Sequence, residues 1–244
     1  MTKFFARFLM ALVNLATVFL SRWRKLTVRA RVHDGLAPQT TVTVNGVDLT
    51  LLVPDRTSVF WSRHEFDSEP NTLSWIDRFG AGDVFYDIDA NIGTYTLYAA
   101  KARSVPVVAF EPNPFSYRVL VHNFHLNSIN DRVLPLCLAA GGPDRNGIGL
   151  QVLAFRLDDL AAIEGIPAPT HVKIDVDGIE AAILEGAKSL LSGPGVKSVL
   201  IEMLTHDDAA QARITSLLGE CGLKPVDLPD DGSDNRLFTH VTRA

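Results

Sequence analysis

Residues 85–100 read FYDIDANIGTYTLYAA: a short apolar run, a turn of small and turn-prone residues, then a helical pattern. With Gly80-Ala81-Gly82 before it, the run DVFYDI reads as a buried strand bounded by turn signals. A turn that brings backbone close to a ligand and then opens a helix needs residues that tolerate left-handed φ, and Asn91 and Gly93 both do. Asp89 stands where such turns usually carry glycine. Asp enters the left-handed region more readily than most side chains, so the turn is expected to survive with a charge added to it.

Downstream of this stretch, short apolar runs alternate with helical ones. PVVAFE is a strand and PFSYRVLVHNFHLN a helix, followed by RVLPLCLAA as a third strand. A short RLDDLAAI helix, the strand HVKIDV, the helix IEAAILEGAKSLL, the strand VKSVLIEM and the helix DAAQARITSLLGECG continue the pattern. Two short runs around an Asp/Gly/Ser/Asn turn in LKPVDLPDDGSDNRLFTHV predict a terminal antiparallel pair. Strict alternation of strand and helix predicts an α/β, doubly wound, mostly parallel sheet with helices on both faces. Ligands of such sheets bind beyond the carboxyl ends of the strands where strand order reverses. Chemistry is therefore expected just after Ile88, Phe110, Ala139, Val176 and Ile201.

Upstream, TTVTVNGVDLTLLV (residues 40–53) alternates and turns at Asn45-Gly46, a strong hairpin signal. In SEPNTLSWIDRF, Ser68 is the expected N-cap and Pro70 lies in the first turn of a helix. The expected organisation is a basic amphipathic helix over 1–31, a β-hairpin and lead-in over 32–68, and the main domain over 69–244. In residues 1–31 Lys3, Arg7, Arg22, Arg24, Lys25, Arg29 and Arg31 meet no acid. Phe4, Phe5, Phe8, Leu9, Leu12, Phe19 and Leu20 fill a wide apolar arc. The apolar run is shorter than a spanning helix and lacks a cleavage site, which disfavours a transmembrane segment or signal peptide. Three readings stand: a helix lying on an anionic membrane surface, a helix packed on the domain, and a transit peptide.

The net charge of -5 follows from 23 basic and 28 acidic residues, so after the seven basic residues of the head the rest carries 16 against 28. A body this acidic argues against nucleic acid as a partner, since phosphate neutralisation needs a basic face. Cys137 and Cys221, the only two cysteines, are far apart and outside any metal-ligand spacing, so a reducing, cytoplasmic setting is expected and no metal is assigned. His64, His122, His125 and His171 form no i,i+4 pair and read as structural, His125 lying nearest the ligand edge.

At the carboxyl edge the candidate ligand-binding residues are Asp87, Asp89, Ala90, Asn91 and Gly93 after the first strand and Glu111 after the second. A carboxylate at Glu111 is placed to accept both hydroxyls of a ribose. The segments DVFYDIDANIGTYTLYAA, VVAFEPNP, RLDDL, HVKIDVDGIEAAILEGA and VLIEM, in this order and spacing, resemble the FkbM family of S-adenosylmethionine-dependent methyltransferases over about residues 69–205. The resemblance implies a class I methyltransferase fold and S-adenosyl-L-methionine as cofactor. It places Asp87, Ala90, Asn91 and Gly93 around the methionine part and Glu111 on the ribose. It also implies O-methylation of a hydroxyl on a saccharide, glycolipid or natural product.

Four departures from the family pattern stand out. Asp89 replaces glycine, Asp177 replaces Glu, Arg156 replaces Thr, and the segment 141–155 is short. Near the cofactor's own carboxylate Asp89 would repel, by about 1 kcal/mol at ~4 Å in water and more where solvent is excluded, whereas beside the sulfonium it would attract. A silent binding or scaffolding module is the alternative that Asp89 raises. Asp175 at the end of the fourth strand is the candidate for orienting the acceptor and taking its proton, with Glu202 second. The two could instead hold a divalent cation, or Asp175 could cap the next helix. Lys173 is expected to anchor a carboxylate such as Glu180. Acceptor specificity is expected in residues 56–72, 141–158 and 204–208, read as loops. The G-x-G-x-x-G spacing of dinucleotide enzymes is absent.

Overall fold

The computed structural model describes residues 2–142, 153–203 and 207–240. The chain divides into two compact units, Met1–Gln39 and Thr40–Ala244. In the first, α1 (Thr2–Ala16) and α2 (Arg22–Gly35) stand where one helix over residues 1–31 was expected. The break begins at Thr17, whose buried hydroxyl donates back to the Val13 carbonyl at 2.8 Å. Such back-bonding competes with continuation of the helix.

Strands β1 (Gln39–Val44) and β2 (Val47–Leu52) form the expected hairpin, with Asn45 and Gly46 at φ 47° and 79° as its tight turn requires. The hairpin is tied into the larger unit. Thr50 N–H donates to Asn127 Oδ1 at 3.0 Å, and Leu52 N–H to Asn123 Oδ1 at 2.7 Å. Helix α3 (Arg56–Ser68) occupies residues expected to be loop, capped by Asp55, which accepts from Ser58 N–H at 2.8 Å. Helix α4 (Pro70–Ile76) has Glu69 rather than Ser68 in the cap position.

The alternating region runs β3 (Phe85–Ile88), α5 (Thr94–Tyr98) with a π-turn over Ala99–Arg103, β4 (Val107–Phe110) and α6 (Pro114–Asn127). Then come β5 (Val133–Leu136), β6 (Ala139–Ala140), β7 (Ala154–Phe155), α7 (Leu157–Leu160) and β8 (His171–Ile174). Helices α8 (Glu180–Glu185) and α9 (Lys188–Ser192), β9 (Ser198–Glu202), α10 (Asp208–Glu220), β10 (Leu223–Val226) and β11 (Asn235–His240) complete it. The single expected helix after β8 breaks at Gly186, where a Cβ would stand 2.3 Å from the Gly141 carbonyl oxygen. The short segment 141–155 noted in the sequence lies largely outside the described residues, as do 204–206.

Seven strands form one sheet in the order β10-β11-β9-β8-β3-β4-β5. The five from β9 to β5 are mutually parallel, and β11 runs antiparallel between β9 and β10, the terminal pair expected. From β3 the chain steps outward through β4 to β5, then returns to β8 on the other flank of β3. Strand order thus reverses between β3 and β8, and the crevice above their carboxyl ends is the place where such sheets bind ligands.

Alternating strand residues feed two cores. Phe85, Val107 and Leu200 pack with Trp75, Phe79, Leu97 and Phe124 on one face; Tyr86, Ile88, Val108 and Ile201 pack with Leu160, Ile183, Leu191 and Leu218 on the other. Both faces being covered is why these strands read as unbroken apolar runs.

Candidate active site at the carboxyl edge

The turn after β3 has the conformation its residues imply. Asp89, Asn91 and Gly93 all lie at positive φ, 66°, 51° and 88°. Asp89 therefore adopts the backbone that the family's glycine would supply, with a modest strain and an added charge. At Gly93 a Cβ would also fall 2.4 Å from Leu120 Cδ1, so helix α6 packs against the bare backbone there. The turn is tied to β4 by the Ala90 N–H on the Phe110 carbonyl at 2.9 Å.

Glu111, buried at the end of β4, accepts the Asn91 N–H at 2.7 Å and the Asn113 N–H at 2.6 Å, one on each oxygen. Burial foremost, then the charge of Asp89, pushes its carboxyl up to about 8 against these two backbone donors. In the ionised form each oxygen keeps a second lone pair, so the fixed carboxylate would be able to accept two further hydroxyls.

Asp87 is buried at the end of β3, its carboxyl accepting from Thr96 Oγ1 at 2.5 Å. Burial pushes its carboxyl up, opposed by Lys173 beside it.

Register assembles the rest. Asp87 and Lys173 are paired across β3 and β8, and Lys173 pairs with Leu200 on β9. Asp175 and Glu202 follow two residues on, so all four side chains issue from one face of the sheet. Lys173, 2% exposed, lies 4.9 Å from the centre of the Tyr95 ring and forms an ion pair with Asp175. Burial alone would lower its pKa, but Asp175, Glu69 and Asp87 outweigh it and hold the ammonium charged. Glu180, the partner expected for Lys173, instead accepts the Gly178 N–H at 2.9 Å.

Asp175 and Glu202 stand on neighbouring strand ends, close enough for each to shift the other's pKa. Two carboxyls so placed disfavour joint ionisation. Burial opposes ionisation of Asp175, but Lys173 overrides it and keeps that carboxyl below its usual range. Burial first, and the Asp175 charge after it, push Glu202 up to about 8. Lys173 thus favours the charged form of Asp175, while burial and the Asp175 charge favour the neutral form of Glu202.

Asp89 reaches solvent at the mouth. Even so, the protein crowded around it, and then the charges of Asp175, Asp177 and Asp87, push it up to about 6. The edge thus gathers Asp89, Asp175 and Asp177, whose carboxylates form an electrostatic complement to a positively charged ligand, with Glu111 and Glu202 beside them shifted toward their neutral forms. S-adenosylmethionine, with a ribose for Glu111 and a sulfonium for this acidic mouth, fits both features.

Glu69 escaped the sequence reading. It accepts from Tyr95 Oη at 2.8 Å and from Thr72 Oγ1 at 2.9 Å, which brings the start of α4 onto the Lys173 cluster. Its place before Pro70 was the available signal. The histidines lie elsewhere: His171 stacks on Phe79 at 4.1 Å with its Nε2 3.3 Å from Asp83, at the amino edge of the sheet. His125, in the last turn of α6, also lies at that edge and not beside the ligand crevice. Among the described residues no group of three or more His, Cys, Asp or Glu side chains is arranged to hold a metal ion.

Comparison with known proteins agrees with this architecture. The TRM5/TYW2 methyltransferase domain matches residues 40–141, which hold the hairpin, the β3 turn and Glu111. The hexuronic acid methyltransferase AglP of Haloferax volcanii is 28% identical over 157 residues, covering 58% of this chain and 63% of that protein. The tRNA (guanine(37)-N(1))-methyltransferase of Xenopus tropicalis is 27% identical over 68% of this chain, yet the match spans only 34% of its length. The 31-O-demethyl-FK506 methyltransferase FkbM of Streptomyces tacrolimicus is 26% identical over 59% of this chain and 74% of its own. A crystal structure of methyltransferase FkbM from Methylobacillus flagellatus superposes with a TM-score of 0.55 at 19% identity, covering 67% of this chain and 44% of that one. By fold the chain has the class I, Rossmann-like methyltransferase architecture, and in sequence it is similar to FkbM.

Proposed function

We propose that the chain is an S-adenosylmethionine-dependent O-methyltransferase acting on a hydroxyl of a saccharide, glycolipid or related natural product. The observation that carries this reading is Asp175, ion-paired to the buried Lys173 at the strand ends beside the β3 turn, with Glu202 following the paired strand next to it. The β3 turn and Glu111 would hold the cofactor, which when bound would supply a methyl group activated on a sulfonium. Asp175, ionised, accepts a hydrogen bond from the acceptor hydroxyl, orients its oxygen and takes its proton as the oxygen is alkylated. Glu202 donates to Asp175 and fixes which oxygen faces the crevice. Lys173 keeps Asp175 charged.

A cavity of about 430 Å³ with a mixed lining opens beside Met203 and Asn235, the residue paired with Glu202, and is bounded further by Asn71, Asp231 and Arg236 and by the apolar Leu228 and Phe238. The relative named for hexuronic acid supports a sugar-acid acceptor, and the one named for 31-O-demethyl-FK506 supports methylation at oxygen. The tRNA-modifying relatives favour a second reading, N-methylation of RNA, against which the acidic body stands. A silent module is the third, and the left-handed backbone kept at Asp89 counts against it.

Calorimetric titration with S-adenosylmethionine tests the enzyme reading: no binding at millimolar cofactor refutes it. Labelled-methyl transfer from the cofactor to uronic-acid glycans and, separately, to unmodified tRNA discriminates the acceptors. Asp175→Asn is expected to lower turnover by about 10²- to 10⁴-fold with cofactor affinity retained. Full turnover in that variant would remove Asp175 from the mechanism.

A further inference from the structure

We propose that the α1–α2 unit is a membrane-surface anchor that binds the headgroup layer of anionic phospholipids. In α1 the polar residues Lys3, Arg7 and Asn14 fall on one stripe, at spacings of four and seven residues. That stripe is where α2 meets it, through Arg29 donating to Asn14 Oδ1 at 2.8 Å. The apolar arc therefore gains nothing from the partner helix, and no residue of α1 is buried. Phe4, Phe8, Leu12 and Leu15 are exposed along it, and Phe19 and Trp23 beside the break are 80% and 75% exposed. An apolar surface of this extent, left open on a helical hairpin, marks an interaction site.

Charge identifies what covers it. Up to residue 39 the unit carries seven Lys and Arg against the single acid Asp34, and Arg22, Arg24, Lys25, Arg29 and Arg31 spread over α2. A second copy would set these like charges against each other, whereas an anionic headgroup layer neutralises them. Length sets the mode. The 15 residues of α1 span ~23 Å, short of the ~30 Å hydrocarbon core, and among the described residues no helix is long and apolar enough to cross a membrane. The helix lies in the interface with its arc in the acyl boundary, α2 supplies cations at the phosphates, and Phe19 and Trp23 sit at headgroup depth.

The test is flotation of the full chain with vesicles of phosphatidylcholine alone and of phosphatidylcholine mixed with phosphatidylglycerol. Binding is expected to the mixed vesicles only, and to fall as salt rises. Arg22→Gln with Arg24→Gln and Lys25→Gln is expected to cut it on the order of a hundred-fold. Phe4→Ser with Phe8→Ser should cut it more than ten-fold, with thermal unfolding of the larger unit unchanged because both side chains are exposed. Equal binding to both vesicle types, binding insensitive to salt, or full binding by the phenylalanine variant would overturn the proposal. So would a lipid-free dimer that the phenylalanine variant disperses, which would make a second copy the occupant. Resistance to alkaline carbonate extraction would show a spanning segment and overturn it equally.

Discussion

Replacing Glu202 with Gln is expected to stabilise the protein at alkaline pH and to leave it nearly unchanged in acid. Burial first, then the charge and hydrogen bond of Asp175, raise the Glu202 carboxyl from 4.5 to about 8 in the fold. A carboxyl whose folded pKa exceeds its unfolded value contributes stability that is complete below the unfolded value. That contribution is lost as pH rises through the folded one. The window here is pH 4.5 to about 8. The displacement, 8 minus 4.5, converts to a ceiling of about 5 kcal/mol. Solvent reaches part of the Glu202 side chain and screens the pair, so about 2 kcal/mol is the expected cost of ionising it. Gln stays neutral throughout and keeps a donor for Asp175. For a chain of this size the gain is about 4–8 °C in Tm. Thermal unfolding of wild type and variant, followed by circular dichroism near ~pH 5 and above ~pH 8.5, reads the difference directly. A gap of the same size at both pH values would refute the raised Glu202 pKa, and so would a variant less stable than wild type at the higher pH.

Three other outcomes follow from the site. Asp89, raised to about 6, should make wild-type affinity for S-adenosylmethionine fall as pH drops through that value, while Asp89→Asn binds more weakly with no such dependence; a flat wild-type titration would place Asp89 away from the sulfonium. Gly93→Ala forces a side chain into φ 88° and sets its Cβ 2.4 Å from Leu120 Cδ1, so it should cost about 1–3 kcal/mol in urea denaturation; wild-type stability would refute the close packing of α6 on the turn. Lys173→Met leaves Asp87 and Asp175 without their cation and should cost about 3–5 kcal/mol, and an unchanged urea midpoint would show that those carboxyls do not depend on it.

Local pattern carried most of the architecture. Apolar runs set at the spacing of strands and helices are enough to predict a parallel sheet, because only crossover helices on both faces satisfy strands buried on two sides. The Asn45-Gly46 hairpin, the strand–turn–helix at residues 85–100 and Glu111 at the next strand end were likewise legible, since turn chemistry and strand ends are written in neighbouring residues. Asp89 could be read as an altered glycine position but not as a charge among charges.

Tertiary structure decided what lies beside what. Glu69, Tyr95, Glu202 and the Lys173–Asp175 pair come from separate elements and meet because sheet register sets Lys173 against Asp87 and Leu200. No sequence spacing encodes that, so the reading assigned Lys173 to Glu180 and passed over Glu69. The upward shift of Glu202 rests on the same meeting, because a carboxyl's pKa depends on burial and on charges reached through the fold. The breaks at Thr17 and Gly186 were equally hidden. One depends on a hydroxyl turning back on its own helix, the other on a backbone approach from Gly141, forty-five residues earlier in the chain. The sequence by itself determined the sheet and the turn; contact across the sheet decided the charge state of the residues above it.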